Sequence, residues 1–120
     1  MNKLFPIVLA LLFFGCDEGN PVESSLCDES IEVELWGECY NIETTTEIFL
    51  SNTGLTGEIP PEIGNLINLT VINLMNNQLT GEIPSSIGNL INLQTLGLTN
   101  NNLTGYIPSE IWNLVNLYYL

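Results

Sequence analysis

Few side chains in this sequence could act as a catalytic nucleophile, a general base or a metal ligand. The 120 residues contain no histidine, a single basic residue (Lys3), three cysteines and 14 acidic residues. Carboxylates are therefore the main candidates for chemistry. Glu58 and Glu82 stand 24 residues apart in the same local sequence, and stacking of their segments would place them about 5 Å apart. Carboxylate pairs at that separation act in retaining glycosidases.

An internal repeat of 24 residues accounts for this spacing. LTGEIPPEIGNLINLTVINLMNNQ (55–78) is followed by LTGEIPSSIGNLINLQTLGLTNNN (79–102), with 16 of 24 positions identical. LTGYIPSEIWNLVNLYYL (103–120) matches the second copy at 12 of 18 positions. A unit this short cannot bury its apolar face alone and must stack on its neighbours. Because Tyr106 replaces the acid in the third copy and no pocket is implied there, we expect no catalytic site.

The repeat resembles the plant-type leucine-rich repeat, LxxLxLxxNxLtGxIPxxIgxLxxL. One copy fills this pattern with Leu69, Ile72, Leu74, Asn77, Leu79, Gly81, Ile83, Pro84, Ile87, Gly88 and Leu90. A degenerate first coil has Ile48, Leu50 and Leu55, with Thr53 where the asparagine should stand. The resemblance implies an α/β-class leucine-rich repeat solenoid over residues 45–120. Such a fold is a right-handed coil with a parallel β-sheet on its concave face and 3₁₀ turns on its convex side.

Within each coil, the residue types predict distinct roles. In a short strand such as Ile72-Asn73-Leu74, apolar residues face the core and the middle residue faces the concave side. Asn77 and Asn101 should form a structural ladder, because their side chains can pair with backbone groups that the bend leaves buried. The last coil has neither a polar cap nor a closing asparagine turn. We therefore expect either a fragment of a longer array or another element that covers its open end.

Differences between the two complete repeats concentrate on the concave face. Five of their eight mismatches fall on or beside the strand, whereas the framework is kept. The alternative that solvent simply tolerates variation there stays open. Such a mixed, nearly neutral surface suits a protein, peptide or glycan partner. The predicted binding face comprises Glu47, Phe49, Ser51, Val71, Asn73, Met75, Thr95, Gly97, Thr99 and Tyr119.

The N-terminus resembles a targeting segment. Lys3 precedes an apolar run from Leu4 to Phe14, which is shorter than the roughly 20 residues of a membrane-spanning helix and typical of a signal peptide (1–15). The run ending in LFFGC is similar to the lipobox of bacterial lipoproteins, in which the cysteine, here Cys16, is lipidated. Phe14 departs from that pattern and leaves ordinary signal cleavage as an alternative. Lipidation implies anchoring at the bacterial cell envelope, through a flexible acidic tether (16–26).

The remaining cysteines fit a structural bridge. Once Cys16 is assigned to lipid, Cys27 and Cys39 remain as a disulfide pair, which export would permit. Residues 27–44 also resemble the N-terminal cap of plant-type repeats, in which a Trp-Gly-x-Cys element, here ending at Cys39, precedes the first coil. Closing this short loop would contribute about 3 kcal/mol.

The acidic composition excludes one class of binding partner. Ten of the 14 acids lie between Asp17 and Glu47, and the mature chain would have no basic residue. Nucleic-acid binding requires cations to neutralise phosphates, so that class is excluded. No calcium-binding loop of the DxDxDG type is present, and we expect neither a metal nor a cofactor.

The sequence therefore predicts an extracytoplasmic leucine-rich repeat module that binds or adheres without catalysis. One alternative is a structural spacer for a missing C-terminal domain. Another is a fragment of a plant-like receptor ectodomain, in which Asn68-Leu69-Thr70 and Asn102-Leu103-Thr104 would be glycosylation acceptors.

Overall fold

The computed structural model describes residues 26–120. The expected signal peptide, Cys16 and all but the last residue of the tether lie outside this range. The described chain opens with a hairpin in which β1 (Glu32–Leu35) pairs antiparallel with β2 (Glu38–Asn41). A disulfide joins Cys27 to Cys39 with their Cα atoms 5.5 Å apart, so the predicted pairing is confirmed.

Local hydrogen bonds complete this cap. The carboxylate of Asp28 accepts bonds from the hydroxyl of Ser30 at 2.6 Å and from its backbone N–H at 3.0 Å. These bonds favour the charged form and lower the pKa of Asp28. In the hairpin, burial raises the pKa of Tyr40, and the nearby charge of Glu38 raises it further.

Three successive coils follow the cap and build two parallel sheets. In residues 26–120, β3 (Glu47–Phe49), β5 (Val71–Asn73) and β7 (Thr95–Gly97) form one sheet. β4 (Thr56–Glu58), β6 (Gln78–Gly81) and β8 (Asn102–Leu103) form the other. The expected 3₁₀ turns are confirmed as helices at Pro61–Asn65, Ser85–Asn89 and Ser109–Asn113.

The two sheets differ in register. The first sheet pairs residues 24 positions apart, as in Ile48 with Ile72. The second sheet pairs residues 22 positions apart, so Glu58 lies beside Thr80. The expectation that Glu58 stacks directly beside Glu82 is therefore wrong. The 24-residue period shows which residues are equivalent between coils. The 22-residue register of the second sheet determines which residues are neighbours.

A single hydrophobic core runs through the coils. Leu66, Leu69 and Leu74 are 0% exposed, and Leu90 is as deeply buried in the next coil. Each such side chain contributes about 1.5–3 kcal/mol on burial. The cap closes the first coil, because Val33 and Leu35 of β1 belong to the same cluster.

Glycines on the convex side let successive coils approach closely. A Cβ atom on Gly64 would lie 2.5 Å from the carbonyl oxygen of Ser86 in the next coil. A Cβ atom on Gly88 would lie 2.6 Å from the Cβ of Glu110. Neither position could carry a side chain without moving the neighbouring coil. At the equivalent position of the third coil stands Trp112, which is 83% exposed.

None of the helices in residues 26–120 has the length and apolar character needed to cross a bilayer.

Candidate binding face

The first sheet brings the sequence-predicted face together in register. Glu47 pairs with Val71, and Val71 pairs with Thr95. A parallel bridge then joins Thr95 to Tyr119, which extends the column to a fourth member. The adjacent column consists of Phe49, Asn73 and Gly97.

The ten residues of this face differ in how much surface they offer. Phe49 is 61% exposed and Tyr119 is 47% exposed, so these two rings are its main apolar contacts. The carboxylate-bearing Glu47 and the hydroxyl-bearing Thr99 are also exposed. The half-buried members are Ser51, Val71, Asn73, Met75 and Thr95.

Gly97 differs from the other members because it is buried. A Cβ atom there would lie 3.1 Å from Cγ of Met75, whose side chain covers the glycine. Asn73 fixes the backbone at Met75, since its Oδ1 accepts a hydrogen bond from the backbone N–H of Met75 at 3.2 Å. Side-chain size falls along the column from Phe49 through Asn73 to Gly97. The face therefore slopes towards a shallow notch that Met75 fills.

The asparagines beneath this face make the bonds that a ladder requires. Oδ1 of Asn77 accepts from the backbone N–H groups of Thr53 at 3.1 Å and Leu55 at 3.0 Å. Its Nδ2 donates to the carbonyls of Leu50 at 2.8 Å and Leu74 at 2.9 Å. Asn77 is only 8% exposed. Its amide thus pairs buried backbone groups of two coils at once.

Asn101 repeats this arrangement one coil later. Its Oδ1 accepts from the N–H of Leu79, and its Nδ2 donates to the carbonyls of Leu74 and Leu98, each at 3.0 Å. Thr53, which replaces asparagine in the first coil, keeps part of the pattern. Its hydroxyl donates to the carbonyl of Leu50 at 2.7 Å. The carbonyl of Leu50 is therefore paired both by Thr53 of its own coil and by Asn77 of the next coil.

A second asparagine ladder lies outside the sequence-predicted set. Nδ2 of Asn68 donates to the carbonyl of Glu43 at 2.9 Å. Asn92 bonds to Ile67 at 3.4 Å and Asn116 bonds to Ile91 at 3.0 Å in the same way. The recurrence of asparagine every 24 residues was the signal that could have revealed it. Nδ2 of Asn68, the atom that glycosylation would modify, therefore already donates to a carbonyl of the cap.

One cluster of metal-binding residue types occurs in residues 26–120. Ligand atoms of Cys27, Glu32 and Cys39 lie within 4.8 Å of one another. Both cysteines are consumed by the disulfide, so the cluster offers one carboxylate and no thiolate. Glu32 already accepts a bond from the backbone N–H of Asp28 at 2.9 Å. The cluster is therefore a structural part of the cap.

The cap and the two sheets define a class of protein, a capped solenoid of short parallel coils. Comparison with protein families gives its identity. Two leucine-rich repeat family models match, one over residues 44–66 and the other over residues 67–120. The chain is a leucine-rich repeat protein of the plant type, and the predicted solenoid is confirmed. A search of curated proteins found no match.

Solved plant receptor ectodomains share this fold. The Arabidopsis thaliana GASSHO1/SCHENGEN3 ectodomain, in complex with CASPARIAN STRIP INTEGRITY FACTOR 2, is 48% identical with a TM-score of 0.55. The Arabidopsis HAESA kinase, in complex with the peptide hormone IDA and the co-receptor SERK1, is 38% identical with a TM-score of 0.54. The Arabidopsis BIR2 ectodomain is 35% identical with a TM-score of 0.55.

These matches concern a small part of each receptor. Each covers 56% of this chain, and the shares of the three receptor chains are 8%, 11% and 35% respectively. The chain thus spans about a tenth to a third of their length.

Proposed function

We propose that this chain is an extracytoplasmic, non-catalytic module whose concave sheet binds a peptide or an extended segment of a protein. One observation carries the proposal: two positions that differ between the repeats, Val71/Thr95 and Asn73/Gly97, lie in register on one open sheet face, above an unchanged asparagine ladder. The complex of HAESA with the peptide hormone IDA and the complex of GASSHO1/SCHENGEN3 with CASPARIAN STRIP INTEGRITY FACTOR 2 support it.

The face recognises its partner through side chains. Backbone groups of the strands already pair from coil to coil, as in Leu50 N–H to Asn73 O at 2.9 Å and Leu74 N–H to Gly97 O at 2.8 Å. The exposed ring of Phe49 and the thioether of Met75 supply apolar contacts. A peptide side chain placed over Gly97 would meet Met75, an unbranched residue that can change its rotamer.

Charge favours a neutral or cationic peptide. Removing Asp17, Glu18 and Glu23 from the 14 acids leaves 11 in residues 26–120, a segment without lysine, arginine or histidine. Glu47 places one of these carboxylates on the face itself. The resulting field repels anionic ligands and steers cationic ones.

A peptide display selection tests this function. We expect selected peptides to lose at least about tenfold in affinity with Phe49→Ala, because aromatic anchors dominate such interfaces. Ile91→Ala is the matched control, since Ile91 is 57% exposed on the convex side. Selected peptides that bind both variants like the wild type, or the absence of any selected peptide, would refute the proposal.

The same proposal places the module outside the cytoplasm. The Cys27–Cys39 disulfide supports export, because such bonds persist in oxidising compartments. Residues 1–15 act as the signal peptide, and lipidated Cys16 anchors the chain to the bacterial envelope through the tether. The mass of the mature N-terminus tests this assignment. Acyl chains on Cys16 would support the anchor, whereas an unmodified N-terminal amine would exclude it.

A further inference from the structure

The first strand of the concave sheet has an unpaired edge on the side of the cap. Within residues 26–120, β3 (Glu47–Phe49) pairs with β5 alone, because the two cap strands pair with each other. β1 packs beside the 3₁₀ helix Pro61–Asn65 on the convex side, and neither cap strand approaches β3. The cap therefore closes the core of the first coil without covering the edge of its strand.

The pairing with β5 shows which backbone groups face the open side. The N–H of Leu50 donates to the carbonyl of Asn73 at 2.9 Å, in the direction of β5. In a parallel pair, residues that bond to the neighbouring strand alternate with residues whose N–H and C=O point away from it. The N–H and C=O groups of Glu47 and Phe49 therefore point to the open side, where no group of residues 26–120 bonds to them. Such an edge is a template for a further strand.

The side chains beside this edge give it chemical character. Glu47 and Phe49 are two positions apart on a strand, so both lie on the concave face, and both are exposed. Ile48 between them is 2% exposed and fixes the strand to the core. A strand added at the edge would place every second side chain on the concave face, next to a carboxylate and an aromatic ring.

The acidic cap determines which kind of chain can pair with this edge. Two copies joined through β3 would bring two caps together, and residues 26–120 contain no basic side chain to offset their charge. A cationic peptide would instead meet the exposed carboxylates of Glu43 and Glu47 with the opposite charge. The charge at the edge therefore disfavours a second copy and favours a basic partner.

We propose that the open edge of β3 binds an extended cationic peptide as an added antiparallel strand, an inference that rests on the peptide-binding function proposed above. In antiparallel pairing, directly opposite residues exchange both of their N–H···O bonds, so Glu47 and Phe49 can each bond twice to the peptide. The peptide residue opposite Phe49 is apolar, and the residue two positions later, opposite Glu47, is lysine or arginine. The ligand class is therefore an apolar-x-basic segment, recognised through its backbone as well as its side chains.

Amide hydrogen exchange of the processed full chain, followed by NMR, tests this pairing. In the free chain the amides of Glu47 and Phe49 should exchange rapidly, whereas those of Ile48 and Leu50 should exchange slowly. The probe is the peptide acetyl-Thr-Phe-Thr-Lys-Thr-amide, which should slow exchange at Glu47 and Phe49 at least about tenfold when bound. The same peptide with glutamate in place of lysine is the charge control and should give no protection.

Backbone methylation of the peptide separates strand pairing from side-chain contact. N-methylation at the phenylalanine or the lysine removes an N–H that points to β3 and should weaken binding at least about fivefold. N-methylation at the central threonine is the matched control, because its N–H points away from β3 in an antiparallel pair. It should leave the affinity close to that of the unmodified peptide.

Two substitutions at one position make the same separation in the protein. Glu47→Pro and Glu47→Gln both remove the carboxylate, but only proline also removes the outward N–H. Proline is tolerated on an edge strand whose N–H faces solvent, so both variants should fold. Glu47→Pro should bind the peptide at least about threefold more weakly than Glu47→Gln.

Several results would overturn the proposal. Slow exchange of Glu47 and Phe49 in the free chain would show that the edge is already covered, and protection that rises with protein concentration alone would identify a second copy as its occupant. Absence of protection at millimolar peptide would also contradict it. Peptides that require Phe49 but tolerate N-methylation at every position would refute strand addition while leaving the concave binding function intact.

Discussion

The cap and the coils are held together over very different distances along the chain. In the cap, side-chain hydrogen bonds join residues two to four positions apart, as between Ser30 and Asp28 or Thr44 and Asn41. Its disulfide closes a separation of 12 residues. In the coils, the side-chain bonds between neighbouring coils span 22 to 27 residues.

This difference shows how a short solenoid obtains a fixed end. Each coil depends on its neighbours for both backbone pairing and burial, so an unprotected first coil would lack half of its contacts. The cap supplies Val33 and Leu35 to the shared core from a hairpin that local and covalent bonds hold in place. The locally stabilised cap thus provides the core contacts that the first coil would otherwise lack on its outer side.

The largest loss of stability is expected when core volume is removed from the middle of the coils. Leu74→Ala should lower the free energy of unfolding by about 2–5 kcal/mol, because Leu74 is 0% exposed between two coils. Urea denaturation followed by circular dichroism measures the loss. Leu98→Ala is the control one coil later, where the equivalent leucine is half-buried. Its effect should be clearly smaller, and equal losses would contradict the dependence on both neighbours.

An intermediate effect should follow from breaking the covalent bond of the cap. Replacing Cys27 and Cys39 together by serine should cost about 3 kcal/mol, since the loop that the bond closes is short. Thermal unfolding of oxidised wild type, reduced wild type and the double variant gives the size of the effect. The two forms that lack the bond should melt alike. A melting temperature unchanged by reduction would show that the cap does not need the disulfide.

The smallest effect concerns the charge in the cap. The pKa of Asp28 is lowered by its bonds to Ser30, so its contribution to stability is present above the ordinary pKa of 3.8 and is lost as pH falls below it. Asp28→Asn keeps an oxygen acceptor but removes the titration. We expect the stability of the wild type to fall slightly more steeply than that of Asp28→Asn between neutral pH and pH 3. Parallel curves from acid titration of the melting temperature would argue against this contribution.

The sequence predicted those features that depend on residue type and period. Asn77 and Asn101 could be placed because an amide offers both a donor and an acceptor where a bend leaves the backbone unpaired. The columns of the concave sheet followed because its register equals the 24-residue period. The disulfide depended on assigning Cys16 to a different role, an assignment that lies outside the described residues.

Other features could not be predicted, because they depend on three-dimensional geometry that the 24-residue period does not determine. The second sheet slants by two residues per coil, so Glu58 faces Thr80 instead of Glu82. Burial of Gly97 under Met75 depends on the rotamer of a flexible neighbour. The ladder of Asn68, Asn92 and Asn116 repeats visibly in the sequence, but asparagine on a convex loop is indistinguishable from a solvent-facing residue until its partner is known.

The two registers restrict how this protein can change its length. Both strand registers are repeated only after a complete coil. Deletion of a few residues would therefore shift the register of one sheet or the other. Copying or losing a whole coil leaves both sheets intact and merely moves the ends apart or together. Lineages of such a module should therefore vary by entire turns, with the cap retained while the number of turns drifts.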